Sequence, residues 1–278
     1  MNAFTRSWEL VKASWSVLRD DKELMVFPVI STIAVVLVMV SFAVPMFLTG
    51  IFEGGFAEGL PVIGLALGFL FYVVQYIVIF YCNSALIGAA MIRLDGGKPT
   101  LGDGFRIASS RFGAIVGYAL ISATVGVLLR SIARRGFIGR LIASALGFGW
   151  NLATFLAVPI LVVEGIGPVE AVKRSTELLK KTWGEQIVGN IGIGFAFGMI
   201  SFFTVAAFAG VVIVAVNTHM IPLVIAAVVL GVTSLLALGL VGSTLTAIYT
   251  AAVYRYAVKG DGGAAFPAEL VSGAFQAR

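Results

Sequence analysis

Long apolar blocks alternate with short charged clusters along the whole chain. Six blocks stand between charges: Phe27 to Leu48, Pro61 to Ile92, Gly113 to Leu129, Leu141 to Val163, Ile187 to Val216 and Ile221 to Tyr256. Each comes close to, or exceeds, the roughly 20 residues a helix needs to cross a bilayer. A spanning segment must satisfy its backbone polar groups internally, which leaves helices or closed β-barrels. Barrel strands alternate polar and apolar positions, and stretches such as Ile30 to Val40 or Val205 to Val216 do not. The pattern therefore predicts an all-α polytopic membrane protein with six transmembrane helices. The second and sixth blocks are longer than a bilayer requires, so each is expected to tilt, to bend near its glycines or to project beyond the membrane. One transmembrane domain is expected over residues 1–260, followed by a short cytoplasmic tail, 261–278, whose docking the sequence leaves open.

The charged intervals carry a second pattern. Phe4, Trp8, Val11 and Trp15 follow a 4-3-4 spacing that places them on one helical face. Leu101, Phe105, Ala108 and Phe112 repeat that spacing, and so do Val172, Thr176, Leu179 and Trp183. In the first and third sets, lysine, arginine and glutamate occupy the opposite face, as in helices that lie in a membrane interface. Trp8, Trp15, Phe112 and Trp183 are expected as interface anchors. The segment Arg6 to Trp15 matches Arg174 to Trp183 at six of ten positions. Ser84, Ala85, Ala89, Ala90 and Arg93 correspond to Thr246, Ala247, Ala251, Ala252 and Arg255 at one constant offset. These matches predict three parallel repeats, over about 3–93, 99–164 and 168–256, each an amphipathic helix feeding a helical hairpin. Parallel copies differ from the inverted repeats of many secondary transporters.

Composition excludes a water-soluble alternative: 59% of the 278 residues are hydrophobic and 12% charged, against roughly half and a quarter in soluble domains. Cys82 is the one cysteine, so no intrachain disulfide can form. The first 23 residues hold eight charges and no continuous apolar core, so the first block is expected to remain as an anchor. With the N-terminus inside, fifteen of nineteen basic residues fall on the cytoplasmic side. Plasma-membrane residence with both termini cytoplasmic is the expectation. Arg130, Arg134, Arg135 and Arg140 break the rule, because they lie in the third loop, which this topology puts outside.

Three segments carry a resemblance: Arg6 to Leu10, Gly97 to Leu101, and Glu164 to Ala171 leading to Lys180-Lys181-Thr182-Trp183-Gly184. With these the chain resembles an uncharacterised family of prokaryotic six-helix membrane proteins, a domain of unknown function. It is also loosely similar to the membrane domain attached to some glycerophosphodiester phosphodiesterases, whose catalytic domain is missing here. The resemblance implies architecture and location, and no catalytic residues.

Candidate chemistry is sparse. His219, the one histidine, sits in the connection before the sixth block with no cysteine or carboxylate beside it, so it reads as a loop residue. No phosphate loop, nucleophile elbow or zincin pair occurs. No cofactor, metal or nucleic-acid partner is expected. The four arginines suit an anionic lipid headgroup or phosphate, because the guanidinium fork matches phosphate geometry. Gln75, Asn83, Asn151, Thr154 and Asn190 can bond between helices or line a polar pathway, and Glu164 ends the fourth block beside lysines. The expected role is a nonenzymatic scaffold or accessory protein organising lipids or partner membrane proteins. The alternative is a transporter or channel for a small solute, whose sign would be a polar track joining Gln75, Asn83, Asn151 and Asn190.

Overall fold

The computed structural model describes residues 3–48, 61–183 and 193–272. They form α1 (Ala3–Asp20), α2 (Val26–Leu48), α3 (Pro61–Leu94), α4 (Leu101–Ser110), α5 (Phe112–Ala133) and α6 (Gly136–Ala153). There follow α7 (Ala157–Val163), α8 (Pro168–Trp183), α9 (Ile193–Asn217), α10 (Ile221–Lys259) and α11 (Ala268–Ser272). A 3-10 turn over Lys22–Met25 joins α1 to α2. No strand occurs among the described residues. Six stretches are long and apolar enough to cross a membrane: Lys22–Pro45, Ala66–Leu94, Phe112–Ala133, Gly136–Val163, Phe197–Asn217 and Ile221–Lys259. The protein is an all-α polytopic membrane protein. In chain order a short charged helix (α1, α4, α8) precedes each pair of spans.

The core lies at one end of the bundle. There α1, α4, α8 and α11 meet the C-terminal turns of α3, α7 and α10, burying Leu10, Val17, Ile115, Ile160, Leu178 and Ile248 among others. Small residues make the close approach possible. Ala85, Ala89 and Ala90 on α3, and Ala247, Ala251 and Ala252 on α10, are almost fully buried. Gly104 brings α4 onto α3, since a Cβ there would lie 2.6 Å from both the Ala85 carbonyl and the Phe27 ring. Away from that end burial within the protein falls off. Only 6% of the apolar window of α9 and 11% of that of α10 is buried within the protein. Hydrocarbon can cover such surface without helix–helix contact.

Several details depart from the sequence reading. The fourth span is two helices, broken at Thr154 to Leu156. Pro159 accounts for the break, because it has no N–H to give the carbonyl four residues back and its ring collides with that carbonyl. Ser175 of α8 accepts the Leu156 N–H at 3.1 Å, replacing a bond the break removes. The third span runs on to Ala133, so the arginine-bearing third loop is hardly a loop. Arg130 lies in α5, Arg140 in α6, and only Arg134 and Arg135 in the turn. Gly136, at φ +88°, permits that tight reversal. The tail docks as far as it is described: Phe266 and Val271 are buried against the core end, a phenylalanine so placed contributing about 1.5–3 kcal/mol. Among the span glycines, Gly117 packs closely, on Pro168, while Gly68, Gly113 and Gly198 face open space.

Candidate functional site

The core end is rimmed by ion pairs that tie spans to short helices. Arg93, at the end of α3, reaches Asp20 and Asp21 at 3.0 Å each. Arg255, its counterpart on α10, engages Asp95 and Asp261, and Lys259 joins Asp95 at 2.9 Å. The hydrogen bond from Arg255, with a second from the Gly263 N–H, holds the Asp261 carboxyl below its ordinary value. Glu164 pairs with Arg174 of α8 at 3.4 Å, not with lysines, and accepts the Tyr254 hydroxyl at 3.2 Å. Beside it the Arg111 guanidinium lies against Gly165, which sits at φ +68° where a Cβ would collide with it. Helix α4 begins with a reciprocal cap: Thr100 Oγ1 accepts the Asp103 N–H, and Asp103 accepts the Thr100 N–H and hydroxyl. The Thr100 hydroxyl, then its N–H, lower the Asp103 carboxyl from its ordinary value.

Helix α1 has two apolar faces. Leu10, Ala13, Val17 and Leu18 face the core, whereas Trp8 and Trp15 stay 47% and 49% exposed. The exposed face forms one wall of a groove of about 500 Å³, closed by Phe197 and Ile200 of α9 and Val241 and Leu245 of α10. Lys12, Arg19 and Asp20 stand at its polar edge. Lys12 is paired with Glu9 at 2.9 Å and Asp20 with Arg93, which leaves Arg19 as the rim cation outside any ion pair among the described residues. Phe112 is 48% exposed at the start of α5 and meets Tyr81 edge-on. By contrast, most of the α4 stripe turns inward, Ala108 being buried and Phe105 packed on Phe27 and Tyr81. The Trp183 side chain lies outside the described residues.

The polar candidates are dispersed. Gln75 is buried and donates to the Val35 carbonyl of α2 at 3.3 Å. Asn83, two turns on, borders a cleft between α2, α3 and α10. Asn151 is exposed on α6, and Thr154 returns its hydroxyl proton to the Trp150 carbonyl. Asn190 lies outside the described residues. His219 is exposed in the α9–α10 turn at φ 55°. Among the described residues no three of His, Cys, Asp and Glu converge as a metal site requires. All four arginines of the α5–α6 turn are exposed, and Arg130 places its guanidinium 4.3 Å over the Tyr72 ring.

Sequence reasoning missed Arg174, Tyr254, Asp95 and the second face of α1. Ser175 and Arg174 were in plain sight within the matched ten-residue segment, with partners 19 and 10 positions away, but the Tyr254–Glu164 and Arg255–Asp95 pairs span 90 and 160 positions and leave no local signal.

Residues 62–265 match the sequence pattern of a family of unknown function, DUF6159. The chain belongs to this family. The match starts with α3, so in this chain α1 and α2 lie outside the DUF6159 region and α10 inside it. No curated protein and no solved structure matches the chain, and no similarity to glycerophosphodiester phosphodiesterases is found.

Proposed function

We propose that this DUF6159 protein is a nonenzymatic component of a prokaryotic plasma membrane that organises phospholipids around its core end, with that end and both termini cytoplasmic. The observation behind this reading is the groove of α1. Trp8, Val11 and Trp15 offer an apolar wall to an acyl chain, while Arg19 and Lys12 offer cationic donors to an anionic headgroup at the groove's edge. Tryptophan suits such a boundary because its ring is apolar and its N–H needs a polar partner. The bias of basic residues toward this end supports the orientation. The recurrence of Arg6–Trp15 at Arg174–Trp183 supports the threefold repeat, with Leu10 and Leu178 buried at equivalent positions. The transporter reading has less support, since Gln75 gives an amide N–H to an interhelical bond and Asn151 is exposed on α6, away from it.

The test is lipid retention by the full-length chain in detergent, followed by native mass spectrometry. Trp8→Ala combined with Arg19→Gln should lower bound phosphatidylglycerol several-fold without altering the protein's elution. Retention equal to the parent's would reject the groove as a lipid site.

A further inference from the structure

The middle hairpin places four fixed positive charges at the far end of the bundle, beside a stretch of α3 that is wholly apolar. Helices α3 and α5 run antiparallel in contact. Phe80 meets Tyr118 at 4.6 Å, the Tyr76 hydroxyl lies beside Gly126, and the Arg130 guanidinium covers the Tyr72 ring at 4.3 Å. Past Tyr72, α3 continues outward to Pro61, a further rise of about 16 Å. The ten residues from Pro61 to Leu70 include no polar side chain. Helix α10 extends less far: Gly239 shares a cleft with Cys82, about 15 Å short of Tyr72 along α3, so α10 reaches Ile221 about 12 Å beyond the level of Tyr72. Helix α5, in contrast, ends at Ala133, three residues beyond Arg130.

Arg134, Arg135 and Arg140 follow within a turn or two, and Phe137, Ile138 and Leu141 beside them are 74%, 70% and 64% exposed. No aspartate or glutamate occurs between Asp103 and Glu164. None of the four arginines has a carboxylate within ion-pair distance among the described residues. The turn is close-packed: Gly136 sits at φ +88°, and a Cβ at Gly139 would lie 2.2 Å from the Ile132 carbonyl. The Arg130 guanidinium rests on the Tyr72 ring. Charge that has no partner among the described residues and lies below the phosphate layer is relieved by local thinning of the bilayer, by water and by counter-charge. Guanidinium and phosphate supply that pairing through two parallel hydrogen bonds.

We propose that the α5–α6 turn is a phospholipid phosphate site. Arg130, Arg134, Arg135 and Arg140 bind anionic headgroups there and draw the far-end leaflet's phosphate layer inward around the middle hairpin. The site is separate from the α1 groove, which lies at the other end of the bundle and on other helices, so either can fail alone.

Two measurements on the reconstituted full-length protein test it. In a Cys82→Ala background, Ser131→Cys beside Arg130 and Leu70→Cys at like depth on α3 are exposed to a charged, membrane-impermeant thiol reagent. Modification of the Ser131 position at least tenfold faster than the Leu70 position is expected. Equal rates, whether both slow or both fast, would overturn local thinning, and this comparison leaves all four arginines intact. In native mass spectrometry, the unsubstituted protein should retain more phosphatidylglycerol than phosphatidylcholine. Converting the four arginines to glutamine should abolish the preference, and millimolar inorganic phosphate should not displace the lipid. Displacement by phosphate would make this a free-anion site instead, and an undiminished preference in the glutamine variant would reject the site.

Discussion

The hydroxyl of Ser175 on α8 holds the amide of Leu156, 3.1 Å away, at the point where the fourth span breaks. Both residues are fully buried. A buried donor without a partner costs about 1–3 kcal/mol, so Ser175→Ala should destabilise the protein by that order. Ser175→Thr, which keeps the hydroxyl, should do less harm. Thermal unfolding midpoints in one detergent would show it, and an unshifted alanine variant would mean that water or a rearranged backbone serves Leu156 instead.

Gly104 is the contact on which α4 rests. Adding one methyl group there meets the Ala85 carbonyl and the Phe27 ring at 2.6 Å, with backbone on one side and a packed ring on the other. Overpacking of this kind costs about 1–3 kcal/mol. Gly104→Ala is expected to lower the unfolding midpoint and to raise amide exchange along α4. Gly102→Ala on the same helix, whose Cβ meets nothing closer than 3.7 Å, is the matched control.

The α5–α6 reversal depends on Gly136. Its φ of +88° is a region that costs a residue with a side chain on the order of 1–3 kcal/mol. Gly136→Ala should destabilise the hairpin by about that amount. Gly113→Ala, in open space at ordinary φ, should be tolerated. Parallel thermal scans of the two variants separate the backbone effect from a general intolerance of bulk.

Asp103 gives α4 a dependence on pH with a definite sign. Its carboxyl is held below its ordinary value by the Thr100 hydroxyl and N–H. A carboxyl lowered in the folded state adds stability above its unfolded value, and loses it as the pH falls through the lowered one. Amide exchange at Thr100 and Asp103 should therefore accelerate in acid, and Asp103→Asn should flatten the response. Exchange that is pH-independent after correction for its intrinsic rate would show that the cap does not hold α4.

The six spans were legible because apolar runs of bilayer length can hardly be anything else. The break at Thr154 to Leu156 was not, since the residues on either side are equally apolar and the one marker, Pro159, sits four positions downstream of the disturbed carbonyl. On α1 the aromatic stripe was readable, but Leu10, Ala13 and Val17 form a rival stripe, and only the fold determines that this second face takes the core. The candidate site was less legible still. Arg93 and Arg255 could be matched by offset, yet their carboxylates come from α1, from the α3–α4 connection and from the tail. Four arginines were conspicuous, but the Tyr72 ring beneath Arg130, 58 positions away, leaves no mark in the local sequence.

With a dense knot of alanines at one pole and mostly lipid-facing spans beyond it, the molecule leaves the covering of much of its surface to its surroundings. Spans wetted by hydrocarbon have no solvent-driven reason to pack more closely. The α9–α10 hairpin, whose apolar windows are the least buried, is where a change of lipid meets the protein most directly, whereas the knot is shielded from it.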